Sequence, residues 1–274
     1  MAEGQFVILF LVGCFGGIMS GLLGIGGGVL YVIVFQNILL RQFPALSDSS
    51  ELVRLILLNT IFAVFFSALS GSYKQYKLGN FYLKEVLYAA LPATIFAIGG
   101  TVFINHWQGY NKNLFLVLFT IMLIPLMFRF FIKDRQQFTE DIDKEKYAFG
   151  GIMAGLTTAF TGLGGGVVMS PYLHGINKLN LKKTLSIALG NMLITTFFIL
   201  LYKVLTYHDT FPNVKGMYYG IYMPMVLPVT IGNMLFSPLG VSMATKISDR
   251  VLKIVFVIFI SIIICHNLYG IFVH

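Results

Sequence analysis

Carboxylates are scarce in this chain, and none of the eleven sits in the middle of an apolar run. Glu3, Asp48, Glu51, Glu85, Asp134, Glu140, Asp141, Asp143, Glu145, Asp209 and Asp249 fall in polar stretches or at the ends of apolar ones. That makes a carboxylate proton relay of the kind pumps carry inside the membrane hard to build, so proton coupling would need Glu51 or Glu85 at a span end, a His, or the substrate itself. It also leaves a negatively charged guest without a negative wall. Charge of either sign is thin: 11% of residues are charged, against about 25% in a soluble domain. Cysteine is nearly absent, and Cys14 and Cys265 both lie within apolar runs, so no disulfide framework or thiolate metal site is implied. No two histidines stand at metal-ligand spacing, no Gly-Lys-Ser/Thr phosphate loop occurs, and no Ser/His/Asp or paired-carboxylate set falls in the apolar segments. An enzyme, an ATPase and a cofactor are therefore not expected. No basic stretch precedes the first apolar run, so that run reads as a retained helix and not as a cleaved signal.

Apolar sequence is what fills the chain. It is 57% hydrophobic with a mean hydropathy of +0.82. Apolar runs fall at 5–23, 25–40, 52–71, 82–105, 113–132, 147–161, 166–177, 184–206, 217–243 and 251–273. They are continuous, whereas barrel strands alternate. The expected class is an all-α polytopic membrane protein. The polar stretch 133–146 divides the runs five and five, giving a first membrane repeat over 1–132, a linker, and a second repeat over 147–274. The net charge of +8 reads as Lys and Arg flanking spans and not as a nucleic-acid surface. The 26 Phe and 12 Met read as lipid-facing and packing residues.

The halves resemble each other. Gly17-Ile-Met-Ser-Gly-Leu-Leu-Gly-Ile-Gly-Gly-Gly28 matches Gly155-Leu-Thr-Thr-Ala-Phe-Thr-Gly-Leu-Gly-Gly-Gly166 at a spacing of 138. Asn59 aligns with Asn191 at 132, and Leu91-Pro92-Ala93-Thr94 with Leu227-Pro228-Val229-Thr230 at 136. The apolar limb after each glycine cluster is only 12 or 10 residues long, about 15–18 Å of helix against a hydrocarbon core of about 30 Å. Each cluster is thus expected near mid-depth, in a broken or re-entrant helix. Each half then holds an odd number of further spans, so the halves are inverted. Fourteen of the nineteen Lys and Arg fall on the linker's side; Arg41, Arg54, Lys112, Lys203 and Lys215 fall on the other. Positive-inside counting makes the linker cytoplasmic and puts both termini outside.

Consecutive glycines can turn several N–H groups into one concavity. A helix starting just beyond adds its positive dipole end, which makes an anion site without a charged side chain. The expected substrate-binding residues are Gly24, Gly26, Gly27, Gly28, Gly162, Gly164, Gly165 and Gly166, with Asn59, Thr60, Thr161 and Asn191 beside them. Small residues also serve close helix packing, but three glycines in a row exceed what such a face needs. Asn59 and Asn191 suit either a substrate oxyanion or an interhelical hydrogen bond. Ser20, Thr158 and Thr161 suit lining or capping, and His266 in the last run reads as structural.

The run Gly-Leu-Leu-Gly-Ile-Gly-Gly-Gly28 and its second copy followed by Pro171 resemble the TauE/SafE sulfite exporters, also called the TSUP family. Lys77-Leu-Gly79 and Gly240-Val-Ser-Met-Ala244 add to the likeness, which covers nearly the whole chain. The chain departs from the family in lacking a proline after the first triple glycine. The resemblance implies a plasma-membrane transporter, in the inner membrane, of sulfite, sulfonates or related small organic anions. Alternating access about the glycine breaks is the expected mechanism, and an anion channel using the same site is the alternative. The partners are the lipid bilayer and a small anionic substrate. A coupling ion, proton or sodium, and assembly into a homo-oligomer stay open.

Overall fold

A computed structural model describes residues 3–46, 49–107, 109–110, 113–118, 120–121, 124, 138–206 and 214–273. Much of the 113–132 run and of the 133–146 stretch lies outside them, as does the His266 side chain. The helices are α1 (Glu3–Leu23), α2 (Gly28–Gln42), α3 (Ser50–Lys77), α4 (Leu83–His106), α5 (Lys144–Thr161), α6 (Gly166–Ser170), α7 (Leu181–Leu205), α8 (Met223–Lys246) and α9 (Asp249–Val273). Among the described residues α1, α3, α4, α7 and α8 are long and apolar enough to cross a membrane. The protein is an all-helical membrane protein. Its one described sheet is a two-residue ladder, Met217–Tyr218 against Ile221–Tyr222.

Local chemistry sets the ends. Ser49 caps α3 by accepting from the Leu52 N–H at 3.3 Å, with Glu51 in the first turn and Lys74 and Lys77 in the last. Asn180 caps α7 through the Lys182 N–H at 3.0 Å. The 217–243 run is not one helix. Tyr219 and Gly220 take positive φ of 51° and 78° and make a tight hairpin turn. The helix then starts at Met223, with Pro224 in its first turn. α6 is five residues long and passes at Pro171 into a π-helical turn, Pro171–Ile176.

Glycine decides which helices touch. A methyl group on Gly13 or Gly21 would overlap backbone atoms of α8 at Val229 or Ser237, and one on Gly17 would stand 2.6 Å from the Asn233 carbonyl oxygen. Gly151 and Gly155 bring α5 onto α4 at Ala89 and Ala93 in the same way. The first helix of each half therefore lies on the fourth helix of the other half. The order of contacts also fixes direction. α1, α3 and α8 run one way, because Gly13 meets Val229 and Gly17 meets Asn233, while Ala63 meets Asn233 and Ser67 meets Ser237. α4, α5 and α7 run the other way: Gly151 meets Ala89, Gly155 meets Ala93, Lys183 meets Glu85 and Lys203 meets Asn105.

These contacts correct two sequence pairings. Gly24 packs on Leu185 and Gly162 on Leu57, while Gly26 and Gly164 both pack on Val64 and Met192. The matching positions of α3 and α7 are thus Leu57 with Leu185 and Val64 with Met192, 128 apart. Asn59 and Asn191, 132 apart, are not equivalents. Likewise Ala89 corresponds to Val229, 140 apart, so Pro92 and Pro228 sit at different levels. Packing register follows shape complementarity across the interface, and residue identity along one strand of sequence does not reveal it.

Candidate functional site

Both glycine clusters form the tips of helical hairpins. α1 closes with the Gly24 N–H donating to the Ser20 carbonyl at 2.8 Å, and α5 closes with the Gly162 N–H donating to the Thr158 carbonyl at 2.8 Å. The chain then turns through left-handed residues at matching places. φ is 67°, 78° and 67° at Gly24, Gly26 and Gly27, and 72°, 73° and 74° at Gly162, Gly164 and Gly165. Side chains rarely adopt these angles. Each chain next folds back along the helix it left. The Tyr31 ring of α2 lies against Gly16 of α1, and Met169 and Tyr172 lie against Gly150 of α5.

The tips meet. A methyl group on Gly28 would stand 3.2 Å from the Leu163 Cα, and one on Gly166 would overlap the Gly24 carbonyl oxygen. The Ser170 hydroxyl donates to the Leu23 carbonyl at 3.4 Å. Val64 of α3 and Met192 of α7 close over the junction, and Ile25 and Leu163 are buried within it. Among the described residues, the N–H groups of Gly26, Gly27, Gly164 and Gly165 donate to no protein acceptor. One cavity, of about 380 Å³, lies between α1 and α2 beside Gln5, Asn37, Arg41 and Tyr222. Another, of about 10 Å³, lies between α3, α4 and α7. Neither is lined by a tip glycine, and the tip glycines are buried. Leucine at Gly27 or Gly165 would be strained at positive φ and would clash with Gly16 or Ala154. Such variants test folding as much as binding.

The polar residues around the tips divide sharply. The Asn59 amide is spent: Nδ2 donates to the Leu55 and Gly220 carbonyls at 2.7 and 3.1 Å, and Oδ1 accepts from the Tyr222 N–H at 2.8 Å. It pins the hairpin before α8. Thr161 donates to the Thr157 carbonyl at 2.6 Å and accepts from the Leu163 N–H at 3.4 Å, which is capping. Thr158 bonds back to the Ala154 carbonyl at 2.7 Å, and Ser20 is bonded to Ser67. By contrast, Asn191 is fully buried and neither its Nδ2 nor its Oδ1 has a partner. It precedes Met192 in the chain. Thr60 Oγ1 on α3 and Thr195 Oγ1, one turn beyond Asn191, are buried and unpartnered too. Buried polar atoms without partners are rare in folded proteins and ask for an explanation.

Sequence reading missed three residues of this neighbourhood. Tyr31 places its hydroxyl beside Gly16 and Gly27, Asn233 ties α8 to the Ala63 carbonyl at 2.8 Å, and Thr195 is noted above. One signal was available for Asn233: Gly-Asn-Met-Leu occurs twice, at 190–193 and 232–235.

The model of the family described as sulfite exporter TauE/SafE matches residues 9–266. A probable membrane transporter protein of Haemophilus influenzae is 27% identical over 264 residues, covering 94% of this chain and 96% of that protein. A second probable membrane transporter protein, from Methanocaldococcus jannaschii, is 24% identical over 251 residues, covering 90% and 89%. No solved structure matches the chain. Both relatives are named as probable membrane transporters, in keeping with a helical membrane protein. With the match running almost end to end, the chain belongs to the sulfite exporter TauE/SafE family.

Proposed function

We propose that this membrane transporter moves a small sulfur-containing oxyanion, such as sulfite or a sulfonate, across the plasma membrane by alternating access. The observation that carries the reading is the junction of the two tips, where Gly26 and Gly164, whose N–H groups are unbonded, pack on Met192, the residue after the unpartnered Asn191. Amide hydrogens are suited to an oxyanion, and the helices restarting at Gly28 and Gly166 add their positive ends. Gly24, Gly26, Gly27, Gly28, Gly162, Gly164, Gly165 and Gly166 supply backbone, and Thr60, Asn191 and Thr195 supply side chains.

The halves, 1–132 and 147–274, act as inverted repeats joined by a cytoplasmic 133–146 linker, with both termini outside. Two things support this. The contact directions above run opposite in corresponding helices, and the cations divide fourteen to five. In the mechanism, one half rocks against the other. The Val64–Met192 layer parts first toward one face and then toward the other, and an anion resting between the tips is exposed in turn. Export down the membrane potential needs no coupling ion, whereas uptake against it does.

The test is uptake by proteoliposomes holding the full chain, with sulfite, thiosulfate, sulfonates and carboxylates offered with and without a pH gradient. Saturable movement of a sulfur oxyanion, competed by its analogues, is expected. Transport of none of the panel, by protein that is monodisperse and helical, would overturn the reading.

A further inference from the structure

Two cations of the second charge group do not face outward. Arg54, one turn into α3, donates from Nη2 to the Asn105 and Ile104 carbonyls at 2.7 and 3.5 Å. Lys203, in the last turn of α7, donates from Nζ to Asn105 Oδ1 at 2.9 Å. One residue at the end of α4 thus holds two positive heads. Arg54 Nε is buried and has no partner. Among the described residues no carboxylate is ion-paired with either head: Glu51 is three residues before Arg54, yet the described ion pairs are Lys146–Asp143, Lys183–Glu85 and Lys183–Asp141, all at the opposite end of α4 and α7. The carboxyl ends of α4 and α7 offset about half a charge each, which still leaves about one positive charge in a half-buried place. Like charges tied to one residue repel most where water is least, and a desolvated charge without a counter-ion is costly.

Between the heads and the helix walls lies the cavity of about 10 Å³, which Thr101, Leu57 and Ala159 also line. That is space for about one water. Leu57 is the residue that packs on Gly162, and Ala159 lies three residues before that glycine. The pair therefore adjoins the second tip from one end of the bundle.

We propose that Arg54 and Lys203 form a second, peripheral anion site, where a small oxyanion waits on its way to or from the tips. The proposal rests on the oxyanion reading above and adds a site to it. The two oxygens of Asn105 stand where anion oxygens bind, one facing the guanidinium and one the ammonium. Rotation of the Asn105 carboxamide, with rotamer changes in the long Lys and Arg side chains, makes the room. A guanidinium suits an oxyanion through paired N–H groups, and the ammonium adds a point charge.

The sole tryptophan, Trp107, lies two residues beyond Asn105 and reports on this place. Its fluorescence in the detergent-purified full chain is followed during titration with sodium sulfite and sodium sulfate, with sodium gluconate holding ionic strength constant. A saturable change is expected. Arg54→Gln and Lys203→Gln should each raise the midpoint about 10-fold or more, Lys203→Arg should retain binding, and Arg41→Gln, an exposed cation, should leave the midpoint unmoved. If the two cations only cap α4, the Gln variants will melt earlier with an unchanged midpoint, and the proposal falls. Where a Gln variant does not fold, amine labelling of Lys203 in the native protein decides. Sulfite should slow it about tenfold at ten times its Kd by mass action, and labelling that sulfite does not slow overturns the site. Saturable binding with no uptake would sink the transport reading and leave this site standing. Uptake with an unchanged KM in both Gln variants would do the reverse.

Discussion

Asn59 and Asn191 are the same residue type, each fully buried in the third helix of its half, and they are held in opposite ways. Asn59 makes three hydrogen bonds and anchors the turn that precedes α8. Asn191 makes none. A buried amide with partners stabilises its neighbourhood, whereas one without them costs stability. The first is therefore a structural pin, and the second is the amide on which the proposed site draws.

The widest separation should come from Asn191→Leu. It removes an unpartnered amide, so the melting temperature should hold or rise, while sulfite transport in proteoliposomes falls about 100-fold, near the upper end for lost charge-assisted hydrogen bonds. A fall in melting temperature with unaltered KM in the surviving protein would erase the contrast. Asn59→Leu should do the converse. It strands the Gly220 carbonyl and the Tyr222 N–H, while the Leu55 carbonyl keeps its helical bond, and should lower stability by about 1–3 kcal/mol in thermal or denaturant unfolding. The KM of the folded fraction should stay where it was. A raised KM at full stability would move Asn59 into the site.

The smallest effect concerns the far end of α4 and α7. There Lys183 is paired with Glu85 at 2.9 Å and lies 3.6 Å from Asp141, in contrast to Lys203, which among the described residues has no carboxylate in an ion pair with it. The hydrogen bond from Tyr147, and then the Ile142 N–H and Lys183, hold the Asp141 carboxyl below its ordinary value. A carboxyl depressed in the fold adds stability above its unfolded pKa of about 3.9 and loses it as pH falls through the lower folded value. This cluster should therefore leave the melting temperature flat from pH 7 to 5 and lower it only below about pH 4. Because the Asp141 side chain is 70% exposed, the effect is small. Asp141→Asn should flatten that acid limb. A loss beginning near pH 6 would point to another group.

The glycine tips could be read in the sequence because runs of glycine before short apolar limbs admit few backbone paths. The α1–α8 and α4–α5 contacts were less legible. Gly13, Gly17 and Gly21 announce a close neighbour without saying which helix it is. The start of α8 was hidden by the apolar character of Met217–Tyr222, where the positive φ at Tyr219 breaks the run. The helical register of α3 against α7 was misread, because two asparagines looked like a match while Leu57 with Leu185 set the geometry. Arg54 and Lys203 were counted as charges at span ends, since a sequence does not tell whether such a side chain snorkels outward or turns in. Whether a buried amide is satisfied depends on residues about 160 positions away, such as Gly220 and Tyr222, and no local pattern carries that.

That an anion rests between the tips is tested most directly by a thiol placed at their junction. Met192, packed against both Gly26 and Gly164, is changed to Cys in a chain whose Cys14 and Cys265 are Ser. The reconstituted protein then meets a negatively charged thiosulfonate reagent during turnover of an alkanesulfonate, which, unlike sulfite, attacks neither the reagent nor the mixed disulfide. The thiol should react, and the alkanesulfonate at ten times its Kd should slow the reaction about tenfold by mass action. A thiol that stays unmodified while the alkanesulfonate crosses the membrane, or one whose reaction it leaves unchanged, would contradict a substrate seat between the hairpin tips.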